Sequence, residues 1–182
     1  MPSYSDKEIL DLFKQPAKRS RAFEILVNKY QQRVYWLIRR MLLNHEDTND
    51  VMQETFIKVW QNLLNFRHQS GLYAWIYRIA INEVYTFFRK QKRLKNLPTT
   101  ELKEEMLQSL KCDPWFDGDK AQLKLQKAIL TLPEKQQLVF NMRYFEEVSY
   151  ADMAKILNTS EGSLKASYHW AVKKIEENLK EN

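Results

Sequence analysis

The chain has 182 residues, 29 Lys+Arg against 23 Asp+Glu for a formal charge of +6, and 44% hydrophobic residues. That length suits one ordinary domain or two small ones, and the apolar content excludes wholesale disorder. Three glycines are too few for the many tight turns of an all-β chain, so an all-α fold is favoured. No apolar run approaches the ~18 residues of a membrane span, so membrane insertion is not expected. No basic segment followed by an apolar stretch opens the sequence, so no secretory signal is read there. A single cysteine, Cys112, excludes an internal disulfide framework and a multi-thiolate metal site. His45, His68 and His169 are dispersed, so neither a metal nor a cofactor is expected. The whole points to a cytoplasmic protein with a basic bias.

In chain order, Ser5-Asp6-Lys7-Glu8 reads as a capping box opening a short helix that stops before Pro16. From Ala22 to Leu42, apolar residues at helical spacing predict a long amphipathic helix. Asn44-His45-Glu46-Asp47 breaks it, and a third helix follows over about Thr48–Leu64. The polar stretch Arg67–Gly71 reads as a loop, and a fourth helix runs over about Leu72–Arg93. Residues 94–122 carry the turn signals Pro98, Asp113-Pro114 and Asp117-Gly118-Asp119, and read as a linker with a short helix near Glu101–Leu110. A second helical group starts near Ala121. Pro133 suits the first turn of a helix over Glu134–Phe145. Ser149–Leu157, a left-handed turn at Asn158, and a last helix from Ser160 to about Lys180 have the dimensions of a helix-turn-helix. The division is an N-terminal helical domain at 1–93, a linker at 94–122 and a C-terminal domain at 123–182.

The charge excess lies in residues 1–92, which hold fifteen basic and nine acidic side chains. Glu83 is the only acid between Glu54 and Glu101, whereas Arg78, Arg89, Lys90 and Lys92 crowd the fourth helix. Such a segment fits a polyanion partner, and equally a solvated helix end. Aromatic residues interleave with these cations: Tyr73, Trp75, Tyr77, Tyr85, Phe87 and Phe88. Rings and cations together can hold an unpaired strand, although some of the rings must join the core. Asn82 is either a base reader or an ordinary surface amide. On the third helix, Met52, Phe56, Val59, Trp60 and Leu63 share the expected core face. The opposite face mixes Asp50, Gln53 and Glu54 with Ile57 and Leu64, which fits a protein interface or plain surface. On the last helix, Leu164, Tyr168, Ala171, Ile175 and Leu179 form the expected packing stripe. Glu161, Gly162, Ser163, Lys165, Ala166, His169, Trp170 and Lys173 lie where a recognition helix meets DNA.

These segments together resemble the extracytoplasmic-function group of bacterial RNA polymerase sigma factors. The resemblance covers nearly the whole chain. It rests on Asp50-Val51-Met52-Gln53-Glu54-Thr55-Phe56 with Val59-Trp60, on Phe66-Arg67 followed by Trp75-Ile76-Tyr77-Arg78-Ile79-Ala80 and Asn82, and on Leu132-Pro133 ahead of the helix-turn-helix. It implies two small helical domains on a flexible linker, without the long intervening domain of primary sigma factors. It also implies a non-enzymatic sigma factor that directs core polymerase to promoters in transcription initiation. By the resemblance, Asp50, Gln53, Glu54 and Ile57 bind core polymerase. It also implies that Phe66, Arg67, His68, Gln69, Ser70, Ile79 and Asn82 form the pocket for one flipped base of the single-stranded −10 element, and the basic aromatic helix is then expected to hold the strand through Trp75, Arg78, Arg89 and Lys90. The face of the last helix reads the double-stranded −35 element. An anti-sigma factor is a further candidate partner. Trp170 departs from the basic residue common there in the family, Ser163-Leu164 from its frequent Thr-Val, and Glu83 sets an acid beside Asn82.

Two rival functions lead elsewhere. A stand-alone regulator using only the helix-turn-helix leaves the third and fourth helices without a purpose. A helical inhibitor or adaptor of polymerase would lack promoter opening. No P-loop, paired catalytic carboxylates or nucleophile–base pair suggests an enzyme.

Overall fold

The computed structural model describes residues 4–67, 71–96, 99–112 and 120–181. They form α1 (Asp6–Phe13), α2 (Arg19–Leu42), α3 (His45–Asn62), α4 (Leu72–Lys95), α5 (Thr99–Cys112), α6 (Lys120–Leu130), α7 (Glu134–Tyr144), α8 (Tyr150–Leu157) and α9 (Glu161–Glu181). No strand occurs among the described residues. The fold is all-α, with one helical group before α5 and another after it. The turn signals Pro98, Asp113-Pro114 and Asp117-Gly118-Asp119 lie outside the described residues.

Local chemistry sets most of the boundaries. Ser5 Oγ accepts from the Glu8 N–H, and the Glu8 carboxylate accepts from the Ser5 N–H at 2.7 Å, completing the expected capping box. A 3-10 turn at Pro16–Lys18 leads into α2, which therefore starts at Arg19 rather than Ala22. Leu43 ends α2 in the left-handed region, at φ 58°. The segment expected as a break is instead a cap and a first turn. Asn44 Oδ1 accepts from the Asp47 N–H at 2.9 Å, so α3 starts at His45. Glu46 and Asp47 then lie at the positive end of the helix dipole. Ser149 caps α8 through the Asp152 N–H at 3.1 Å, and Asn158 takes the expected left-handed turn at φ 50°. The stretch between the groups carries a longer helix than the short one expected. α5 buries Leu102 and Leu110, and Leu110 packs with Leu43 and Leu130.

The N-terminal core forms where α2 supplies Leu26, Val34, Leu37 and Ile38, α3 supplies Val51, Phe56 and Val59, and α4 supplies Ile76, Tyr77, Ala80 and Val84. Thr55 is also buried, with its hydroxyl donating to the Val51 carbonyl at 2.7 Å. The inward face of α3 is thus rotated from the expected one. Val51, Thr55 and Val59 face α2 and α4, while Trp60 sits at the rim, 39% exposed, its ring edge-on to Phe13 and Phe23. A second cluster joins Ala128, Ile129, Leu132, Phe140, Ala171 and Ile175. Beyond Ile175 none of the described side chains of α9 is buried, so Leu179 leaves the expected packing stripe and stands 40% exposed.

The cap at Asn44 gives a direct test. Asn44→Ala should lower the unfolding free energy by ~1 kcal/mol, read from a urea transition with unchanged slope. No loss would show that the start of α3 is held by its packing alone.

Candidate nucleic-acid and polymerase interfaces

Asp50, Gln53, Glu54 and Ile57 are all exposed on one side of α3, with Ile57 42% accessible. Gln61 and Leu64 continue the exposed strip toward the end of the helix. A groove of ≈ 520 Å³ runs from Asp50, Gln53 and Glu54 to Phe87, Lys90 and Leu94 of α4. Asp47 lies in the same groove. Burial, and then the charge of Asp50, raise its carboxyl above the usual range. The site is an acid-amide strip with an apolar centre. Lys90 faces this groove, not the cavity at Asn82.

That cavity, ≈ 450 Å³, lies between the ends of α3 and α4. Trp75 and Ile79 form its apolar wall, Asn82 its far edge, and Lys58, Asn62 and Asn65 its polar side. Phe66 packs its ring on Trp75 at 5.2 Å. Arg67 is exposed nearby in the sequence, and His68, Gln69 and Ser70 lie outside the described residues. Asn82 is exposed at the mouth. Glu83, the acid beside it, is committed to Lys58 at 2.6 Å with its own side chain nearly buried. Its charge is therefore offset within the protein before any phosphate arrives. Sequence reasoning passes over Lys58, Asn62 and Asn65. The i, i+4 spacing of Lys58 and Asn62 on α3 is the signal that places those two on one face, and the 3-10 turn Leu63–Asn65 brings Asn65 beside them.

The aromatic residues of α4 divide between core and surface. Tyr77 is fully buried, 4.1 Å from the Tyr73 ring, and its hydroxyl donates to the Arg33 carbonyl at 3.3 Å. Burial pushes the Tyr77 hydroxyl well above its ordinary pKa, so it stays neutral. Tyr73, Tyr85, Phe87 and Phe88 are half-buried against the core, so a stacking platform along the whole helix is not formed. Arg89 is exposed and donates to Thr86 Oγ1 at 3.0 Å. Arg78 is turned elsewhere. Its Nε donates to the Ile156 carbonyl at 3.1 Å and its Nη2 to the Lys155 carbonyl at 2.6 Å. These are end-of-helix acceptors of α8, which lack partners within their own helix.

On α9, Glu161, Gly162, Lys165, Ala166, His169, Trp170 and Lys173 are exposed and Ser163 is half-exposed. Ser160 Oγ accepts from the Ser163 N–H at 3.2 Å and orders the first turn. An added Cβ at Gly162 would meet no atom of the protein within 4 Å. Lys165 lies 3.8 Å from Glu161, and an exposed pair of this kind holds it only weakly. Lys173 Nζ sits 5.4 Å from the ring centre of Trp170, which is half exposed. Among the described residues, no cluster of His, Cys, Asp and Glu could hold a metal, and no helix is long and apolar enough to cross a membrane.

Family comparisons agree with this layout. Residues 26–94, spanning most of α2 through α4, match the sigma-70 region 2 family, and residues 122–175, from α6 into α9, match sigma-70 region 4. The chain is 30% identical to the ECF RNA polymerase sigma factor SigW of Bacillus subtilis, over 81% of this chain and 83% of that protein. It is 29% identical to the RNA polymerase sigma-H factor of Pseudomonas aeruginosa, over 96% and 93% respectively. Its fold is similar to that of the sigma factor RpoE of Bartonella quintana, solved with the anti-sigma factor NepR. There the TM-score is 0.66 at 22% identity, covering 87% of this chain and 96% of that one. The chain belongs to the extracytoplasmic-function group of the sigma-70 family and is a promoter-recognition sigma factor of RNA polymerase.

Because Asp50 and Glu54 touch no core, the double variant Asp50→Arg, Glu54→Arg should keep its far-ultraviolet circular dichroism. Its unfolding free energy should shift by less than ~1 kcal/mol. A larger loss would assign this face a structural duty.

Proposed function

We propose that the α3 strip Asp50, Gln53, Glu54 and Ile57 docks on core RNA polymerase, and that the cavity between Trp75, Ile79 and Asn82 receives one unstacked base of the −10 element. The observation that carries this reading is the cavity itself. An apolar wall faces a carboxamide, beside an acid already paired with Lys58. Trp75, backed by Phe66, offers a flat face to the base, and Asn82 offers a donor and an acceptor to its edge. Extruding a base costs a few kcal/mol, which wall contacts and phosphate grip offset. Arg67 and Arg89, with the loop His68, Gln69 and Ser70, hold the strand around it, Lys90 meets the strand away from the cavity, at the α3–α4 groove, and Arg78 joins them once it leaves α8. The exposed face of α9 enters the −35 major groove, where open space at Gly162 allows close approach and Lys165 and Lys173 meet phosphates or base edges. The working units are 1–93 and 123–182, with 94–122 between them. The protein performs no bond chemistry of its own, acts in the cytoplasm where promoter and polymerase are, and is a candidate for control by an anti-sigma factor.

Asn82→Ala should leave core binding and −35 duplex binding intact, yet reduce open-complex formation and relax one base preference at −10. Permanganate footprinting on duplex and pre-melted templates reads this, with partial rescue on the pre-melted template. Equal opening and an unchanged preference would remove the cavity from base capture. The Asp50→Arg, Glu54→Arg variant should lose core binding at least tenfold, by native gel, and retained binding would move the docking site elsewhere. Lys165→Ala should cost ~1–3 kcal/mol at one −35 position if it reaches a base edge. A phosphate contact would instead weaken all sequences evenly and flatten the salt slope by about one.

A further inference from the structure

A further cavity, ≈ 490 Å³, lies between α4, α5 and α7, a size typical of small-molecule sites. Its two long walls are apolar. Tyr85 and Phe88 stand at i, i+3 on α4, Leu102 and Met106 at i, i+4 on α5, and Leu130 of α6 joins them. The polar groups are few, and most are donors. Gln137 of α7 is only 3% exposed, and its Nε2 is buried with no acceptor among the described residues. An amide N–H left unpaired in an interior costs about 1–3 kcal/mol, a cost removed when an acceptor enters. Lys103 of α5 is half-buried and donates one of its ammonium protons to the Leu132 carbonyl at 2.8 Å. Burial holds that ammonium below the ordinary lysine range, so an anion beside it would stabilise its charged form. Arg89 and Lys92 are exposed at the rim, and Glu134 is the one acid among the described lining residues. α7 starts at Glu134 with no side-chain cap, which adds the positive end of its dipole.

We propose that this cavity binds a small aryl carboxylate, with its flat ring between the α4 and α5 walls and its carboxylate accepting from Gln137 and Lys103. A carboxylate brings two oxygens for two donors. Its single charge suits a lining that is positive on balance yet includes Glu134. A neutral arene would leave the Gln137 amide unpaired, and a bare inorganic anion would leave the apolar walls against water. The site does not depend on the promoter reading, although Asn82 and Arg89 border it as well.

Isothermal titration calorimetry of the full chain with naphthoate tests the assignment. One naphthoate should bind per chain, and naphthalenemethanol, which keeps the ring and loses the charge, should bind roughly tenfold more weakly. Lys103→Met keeps the apolar stem and should weaken naphthoate binding roughly tenfold. Gln137→Leu should weaken it roughly fivefold, while the ligand-free variant unfolds no more easily than the wild type, because an unpaired amide is exchanged for an apolar group of similar size. No naphthoate binding by the wild type, which needs no variant to observe, would leave the cavity a water pocket and overturn the site. Equal binding of naphthoate and its alcohol, or binding untouched by both variants, would place the ring elsewhere. A marked loss of stability in Gln137→Leu would show the amide already satisfied and remove it from the site. Tighter binding of naphthyl phosphate than of naphthoate would overturn the carboxylate assignment.

Discussion

Everything in the structure depends on how α4 is rotated about its own axis. Tyr77 sets that rotation. Its ring is fully buried and its hydroxyl is spent on the Arg33 carbonyl, so the helix cannot turn without stranding a buried polar group. With Tyr77, Ile76, Ala80 and Val84 directed inward, the remaining arcs of the helix are assigned. Trp75, Ile79 and Asn82 meet the end of α3 at the cavity, Lys90 and Leu94 meet the middle of α3 at the acidic groove, and Arg78 meets α8. One helix thus carries the core, two surfaces and the joint to the second unit.

The electrostatics follow the same division. The basic excess of the N-terminal half is not spread evenly over a single DNA face. Lys58 is taken by Glu83, Arg40 by Glu146 and Arg78 by carbonyls, which leaves Arg89 and Lys90 among the exposed cations of α4. The acids Asp50 and Glu54 stay on the far side of the α3–α4 groove. Acid and base thus face each other across one groove, with Asp50 and Glu54 on the α3 side and Lys90 on the α4 side.

Most of the fold was legible in the sequence because helix starts and stops are local chemistry. The Ser5–Glu8 box, the Ser149 cap and the Asn158 turn each depend on residues within a few positions. The start of α3 was missed for a related reason: Asn44 reads equally as a breaker and as a cap, and only the Asp47 N–H decides. What depends on other helices was not legible. Trp60 stands at the rim against Phe13 of α1 instead of in the core, and Leu179 left the packing stripe beyond the last buried residue of α9. That some rings of α4 join the core was legible, but which of them do so was not, and packing drew Tyr77 fully inside. The motif residues on α3 and α9 were legible as positions on one face of a single helix. Lys58, Asn62, Asn65 and the α8 carbonyls that hold Arg78 were not, since their pairing with α4 depends on how separate elements pack.

The central claim, that these surfaces make a promoter-selecting subunit, is tested most directly by run-off transcription with core RNA polymerase on a promoter library, with and without this chain. The account predicts new transcripts from a discrete set of promoters sharing −35 and −10 elements, appearing only when the chain is present. Core polymerase that binds the chain yet starts no promoter-specific transcript would contradict it.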